Sequence, residues 1–187
     1  MANSIYNVNT HKTTLSYEKN SIVMVRENIG STGVPKKIKY YYALKNMGTG
    51  VAITNTEYWG GYTTINKKDA VPFFLWTPSY NLSVNHNPRT NTVVFGNGYE
   101  QRKPDGIYTG LIKLDVTFDL RNQAESSAIL HFLKSRKGAE SFVVKHLPPI
   151  YADTYNFKKR FICPNFNSNF AFHNNYTLKT SFVETNH

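Results

Sequence analysis

The sequence predicts a mainly β (α+β) protein: a β-sandwich or barrel-like domain with one packed α-helix, preceded by a small β-rich module. Three observations carry this. Residues 111–120 (LIKLDVTFDL) alternate apolar and polar, the signature of a strand with one buried face. Several further segments rich in β-branched and aromatic residues are bounded by Gly, Pro and Asn. One stretch, residues 123–137, instead repeats its apolar residues at helical spacing.

Taken in order, residues 20–29 (NSIVMVRENI) and 37–46 (KIKYYYALKN) read as strands. Gly30, Gly33 and Pro35 between them suit a hairpin. The polar run Asn66-Lys67-Lys68-Asp69 is a candidate linker, dividing a module at 1–66 from a larger domain at 67–187. Thr92 to Phe95 followed by Asn97-Gly98 predicts a tight hairpin turn, because both residues tolerate positive φ. In 111–120, Ile112, Leu114, Val116, Phe118 and Leu120 fall on one face. Asn122 can cap the helix, with Glu125 three residues on as in a capping box. Ala124, Ala128, Ile129, Phe132 and Leu133 form its apolar stripe. Lys134, Arg136 and Lys137 suit its C-terminal end, and Gly138 can close it. Residues 140–146, 157–163 and 176–184 are the remaining strand candidates, with a strand ending at Cys163-Pro164.

The chain has 187 residues and a net charge of +10, from 22 Lys+Arg against 12 Asp+Glu. Scarce carboxylates, more than dense Lys/Arg, produce this excess. Residues 1–66 carry 7 basic and 3 acidic groups, so both parts are basic. An apolar content of 40% with 18% charged residues supports a folded core and argues against disorder. The lone Cys163 excludes an internal disulfide or a multi-cysteine metal site. No apolar run approaches the roughly 20 residues of a membrane-spanning helix, and residues 1–14 lack a secretory pattern.

Catalytic constellations are scarce. The six histidines include no i,i+2 or i,i+4 pair, so no local metal site forms. His131 reads as a surface or boundary helix residue, and Cys163 as a small buried apolar side chain. Asp115 and Asp119 share the wet face of a strand, and Glu57 has no acidic neighbour. Gly96 and Gly98 lack the Lys and helix start of a phosphate loop. These features predict a non-enzymatic protein without a cofactor or metal. Lys158-Lys159-Arg160 between Phe157 and Phe161 leaves two readings: a stacking surface for nucleic acid, or a strand with solvated basic residues.

Residues 94–102 (VFGNGYEQR), followed by Pro104-Asp105-Gly106-Ile107, resemble the signature of the phage minor tail protein M family of lambda-type siphophages. Asn97 stands where Asp is usual, and Tyr108 where Asn is usual. The strand, helix, Arg136-Lys137-Gly138 turn, Pro148-Pro149 step and basic strand at 159–163 follow in the family's order, so the resemblance covers about residues 85–187. It implies a structural component of a long-tailed phage tail tip. Homo-oligomers, hexameric or trimeric, would form a ring joining the tail tube protein to the tip hub proteins and lining the DNA channel. The virion is the implied location, with assembly in the host cytoplasm and no membrane contact. Phe95, Gly96, Gly98, Tyr99, Glu100 and Arg102 are the motif residues. They serve either a folding hairpin or a subunit contact, with Glu100 and Arg102 pairing within or across subunits.

Residues 39–46 and 49–59 are similar to small chitin-binding-type carbohydrate modules of families 5 and 12. Tyr17 to Val23 stands at the place of the modules' Tyr-x-x-Gly-x-x-Val entry, with Asn20 replacing the usual Gly, and Ile53 stands at a usual Pro position. This resemblance implies an alternative role in binding host cell-surface glycans through Tyr41, Tyr58, Trp59 and Tyr62. The competing reading places Trp59 and Tyr42 in the core of a module too small to fold without them.

Overall fold

The computed structural model describes residues 8–29, 35–61, 71–107, 110–148 and 159–185. The candidate linker at 66–69, Tyr62, Tyr108, Pro149 and the Phe157-Lys158 step lie outside the described residues. The described chain is mainly β with one helix, as the alternating and helical patterns predict.

The first sheet has the order β1-β2-β3-β4. Its strands are β1 (Asn9–Thr10), β2 (Ile22–Ile29), β3 (Pro35–Ala43) and β4 (Trp59–Gly61). β1 runs parallel to β2, and the other pairs are antiparallel, with Ile22 opposite Tyr42 and Ala43 opposite Trp59. Both faces of its centre are buried. Val23, Ala43, Met47 and Trp59 make a cluster on one face. Ile22 and Tyr42 join the main core on the other. This double burial explains the uninterrupted apolar runs IVM and YYYA, where a one-sided strand would alternate. A methyl group on Gly60 would meet the Tyr42 ring at 2.6 Å, so glycine is needed for this close approach.

The second sheet has six strands in the order β5-β10-β11-β12-β9-β6. These are β5 (Phe73–Phe74), β6 (Ser83–His86), β9 (Ile112–Arg121), β10 (Phe142–Val144), β11 (Arg160–Phe172) and β12 (Asn175–Thr185). The intervening β7 (Thr90–Val94) and β8 (Glu100–Pro104) pair only with each other. The helix α1 (Gln123–Ser135) packs on the inner face of the six-stranded sheet. Phe74 centres that core: the rings of Trp76, Phe118, Phe132, Phe142 and Phe182 all lie within 6 Å of it. Burying each such ring contributes roughly 1.5–3 kcal/mol.

The helix caps as its sequence suggests. Asn122 Oδ1 accepts the Glu125 backbone N–H at 2.8 Å. The Glu125 carboxylate turns to Arg121 at 3.1 Å, so the reciprocal half of the capping box is replaced by an ion pair. Lys137 and Gly138 both take positive φ after the last turn. Beyond the expected stripe, a second one is covered. Ala124 and Ser127 line a crevice with Ile22 and Ser21. His131 is buried against Tyr40 rather than lying at the surface. Desolvation lowers its pKa to about 4. The helix thus touches both sheets, and Trp76 Nε1 donates to Asn20 Oδ1 at 3.3 Å across the same junction.

Two strand readings need correction. Leu120 leaves the buried face: it has φ +48° and is exposed. Three steps on β9, from Phe118 to Arg121, match two on β12, from Leu178 to Tyr176, so an extra residue bulges out there. The basic strand does not end at Pro164 but continues to Phe172. A register shift between Ile162 and Asn165 accommodates the proline, which is tolerated at a bulge. Cys163 is buried, with Sγ 2.9 Å from Thr180 Oγ1, and burial pushes its thiol pKa up.

Candidate functional site: an uncovered hairpin arm

β6 runs antiparallel to β9, with His86 opposite Ile112. The chain then leaves the sheet. β7 and β8 pair from Thr90 opposite Pro104 to Val94 opposite Glu100. Every described side chain on both strands is exposed. At the root, Arg89 and Asp105 form an ion pair at 2.7 Å, and the Asp105 N–H donates to the Arg89 carbonyl at 3.0 Å.

The chain turns tightly around Asn97-Gly98, as expected. Residues 95–99 form a five-residue connection, closed by the Phe95 N–H to the Tyr99 carbonyl at 2.8 Å and the Gly98 N–H to the Phe95 carbonyl at 2.9 Å. Gly98 alone in this loop has positive φ, +81°, which explains its residue type. A Cβ on Gly96 would meet nothing within 4 Å, so the described chain leaves room for a side chain there. Glu100 and Arg102 pair within the chain at 2.8 Å. An exposed pair of this kind contributes about 0–1 kcal/mol. The Phe95 and Tyr99 rings sit 6.1 Å apart, and Tyr99 is 67% exposed. All six motif residues therefore gather on one arm, with Val93 and Val94 adding apolar surface.

The glycan candidates are arranged differently. Trp59 is 2% exposed, enclosed by His11 and Tyr17 with ring centroids at 5.2 and 5.1 Å. Tyr41 and Tyr58 are half-buried. Lys45 lies over the Tyr58 ring at 4.2 Å and bonds Glu57. The described members of this set are thus packed into or against the cluster under the first sheet. Burial lowers the pKa of His11 beside Trp59.

Elsewhere, a cleft of about 680 Å³ runs between the sheets beside Trp76, Arg121 and Lys145. Arg121 on its wall is held by Glu125 and by the Thr77 carbonyl at 2.9 Å. Among the described residues, no group of three or more His, Cys, Asp or Glu could hold a metal ion. No described helix is long and apolar enough to cross a membrane.

One exposed surface escaped the sequence reading. The far end of the β11–β12 hairpin turns at His173-Asn174 and presents Phe170 and Phe172 to solvent, near Leu120. Its signal was available: two aromatics inside an Asn-rich stretch without charge.

A mainly β body that projects an uncovered, partly apolar hairpin has the build of a protein made for assembly with others. Residues 72–185 match the model of the phage minor tail protein family, and the chain belongs to that family. It is a structural component of a phage tail, carried in the virion and assembled with other tail proteins. No curated protein matches the chain.

Proposed function

We propose that copies of this chain form a ring near the tail tip, between tail tube and tip hub, around the channel that DNA crosses. The β7–β8 arm is the subunit contact. The observation that carries this reading is the arm itself. A two-stranded hairpin covered on neither face is marginal in water. Here it nonetheless exposes Val94, Phe95 and Tyr99 rather than folding them onto the body. Such a surface is stabilised when a partner covers it. Several copies of a +10 chain in one ring would surround the channel with positive charge, suited to a polyanion in transit.

The test compares wild type with Tyr99→Asp. Native mass spectrometry of the purified chain and proteomics of purified tails should find a hexamer or trimer and its incorporation for wild type. Tyr99→Asp should lose both while keeping its melting temperature, because Tyr99 lies outside the core. A chain that is monomeric in solution and absent from tails would refute the ring.

A further inference from the structure

The exposed apolar side chains are segregated at opposite ends of one strand. Among the described residues eleven large hydrophobic side chains are exposed. Five of them, Val93, Val94, Phe95, Tyr99 and Ile107, belong to the arm and its root. Four more, Tyr80, Leu120, Phe170 and Phe172, lie at the other end; Leu15 and Phe73 make up the total. The arm leaves the sheet where β9 begins, since His86 pairs with Ile112. The second group sits where β9 finishes. Arg121 pairs with Tyr176, and Tyr176 with Phe170. Ser79 Oγ accepts the Asp119 N–H at 2.8 Å, which places Tyr80 there too. Ten residues of β9 separate the two ends by about 30 Å.

We infer that the far end of the sheet, formed by Tyr80, Leu120, Phe170 and Phe172, receives the β7–β8 arm of the next copy, so that copies join head to tail. This rests on the ring reading and adds the surface that accepts the arm. Charge, symmetry and backbone strain select a second copy of the chain as the occupant.

Two +10 chains repel except where charge is absent or compensated. The arm pairs Glu100 with Arg102 and Arg89 with Asp105. Residues 165–177 contain no Lys, Arg, Asp or Glu. With Lys103 also on the arm, residues 87–107 carry a net +1 and residues 165–177 carry none, so the two ends meet with little of the repulsion that the whole +10 chains would bring.

Two different patches at opposite ends of one subunit make a heterologous contact, and heterologous contacts generate rings when the rotation closes. A single self-complementary patch would stop at a dimer.

Leu120 holds φ +48°, a conformation that disfavours an L side chain of this bulk, and the bulge turns it away from the core it would otherwise fill. Burial under a neighbour's arm returns the apolar side chain to a dry environment.

The experiment pairs cysteines. A Tyr99→Cys chain mixed with a Phe170→Cys chain should give a disulfide-linked heterodimer under mild oxidation, while each alone does not. A chain carrying both substitutions should give a ladder ending at the ring size, in solution and in purified tails. The native Cys163 is buried and leaves the background low. Separately, Leu120→Asp and Phe170→Asp should each lower the yield of assembled oligomer by about tenfold or more, because a charge would be buried in the contact, with no change in melting temperature. If oligomers form and enter tails but the mixed crosslink is absent, or Tyr99→Cys copies link to each other, the head-to-tail contact is wrong and the ring stands. If no oligomer forms and no copy enters tails, the ring reading itself falls, and this contact with it.

Discussion

The Tyr40 ring stands 4.6 Å from the His131 ring at an interplanar angle of 68°, joining the first sheet to the helix. This contact buries an ionisable group in the seam between the two sheets. Its titration therefore reports on whether the seam is closed.

Burial lowers His131 to about 4 from an ordinary 6.5. The unfolded chain binds that proton first as pH falls. The contribution of neutral His131 is thus fully present above about 6.5 and is lost as pH falls towards 4. The loss is on the order of 1–3 kcal/mol. Urea unfolding at pH 7.5 and pH 4.5 should show this difference in wild type. In His131→Gln the difference should shrink, and an unchanged slope would remove His131 as its source.

The helix start offers a sharper test of local structure. Asn122→Ala removes the side-chain acceptor for the Glu125 N–H and should cost about 1 kcal/mol. Asn122→Asp keeps an acceptor and adds favourable charge at the helix N-terminus, so it should hold near wild-type stability. Equal losses in both variants would mean that the cap is not what the substitution perturbs.

The two tryptophans lie on either side of the candidate boundary at residue 66. Trp59 sits under the first sheet and Trp76 in the main core, which also takes in Ile22 and Tyr42 from β2 and β3. Single-tryptophan variants, Trp59→Phe and Trp76→Phe, should therefore give coincident thermal transitions by fluorescence. Separated transitions would mean that 1–66 and 67–187 unfold independently.

Legibility in the sequence followed how local each determinant is. Ile112 to Phe118 alternated because one face packs and the other meets water, so pattern alone sufficed. Asn122, the apolar stripe and Gly138 defined α1 for the same reason. Leu120 could not be placed, because its bulge arises from register with β12 far along the chain. Pro164 read as a stop, yet a register shift absorbs it and β11 continues. His131 and Trp59 are polar-edged rings whose burial depends on what the other elements bring to them. The arm was visible as a motif, but its lack of cover on both faces is a fact of topology. The exposure of Phe170, Phe172 and Leu120 at the far end of the sheet depended on both missed features together.

The strand order also sets a timetable for the nascent chain. β12 occupies an interior position between β11 and β9, and Val183 pairs with Lys113, seventy residues earlier. At about 5–20 residues per second, one edge of β9 waits roughly 4–14 s for its partner to emerge during translation. The apolar face of β9 would be open to misassociation throughout. α1 follows β9 with only Asn122 between them and packs on that same inner face. The sole described helix is thus made before β12, the strand it contacts in the finished sheet, and the inner face closes only when that strand arrives.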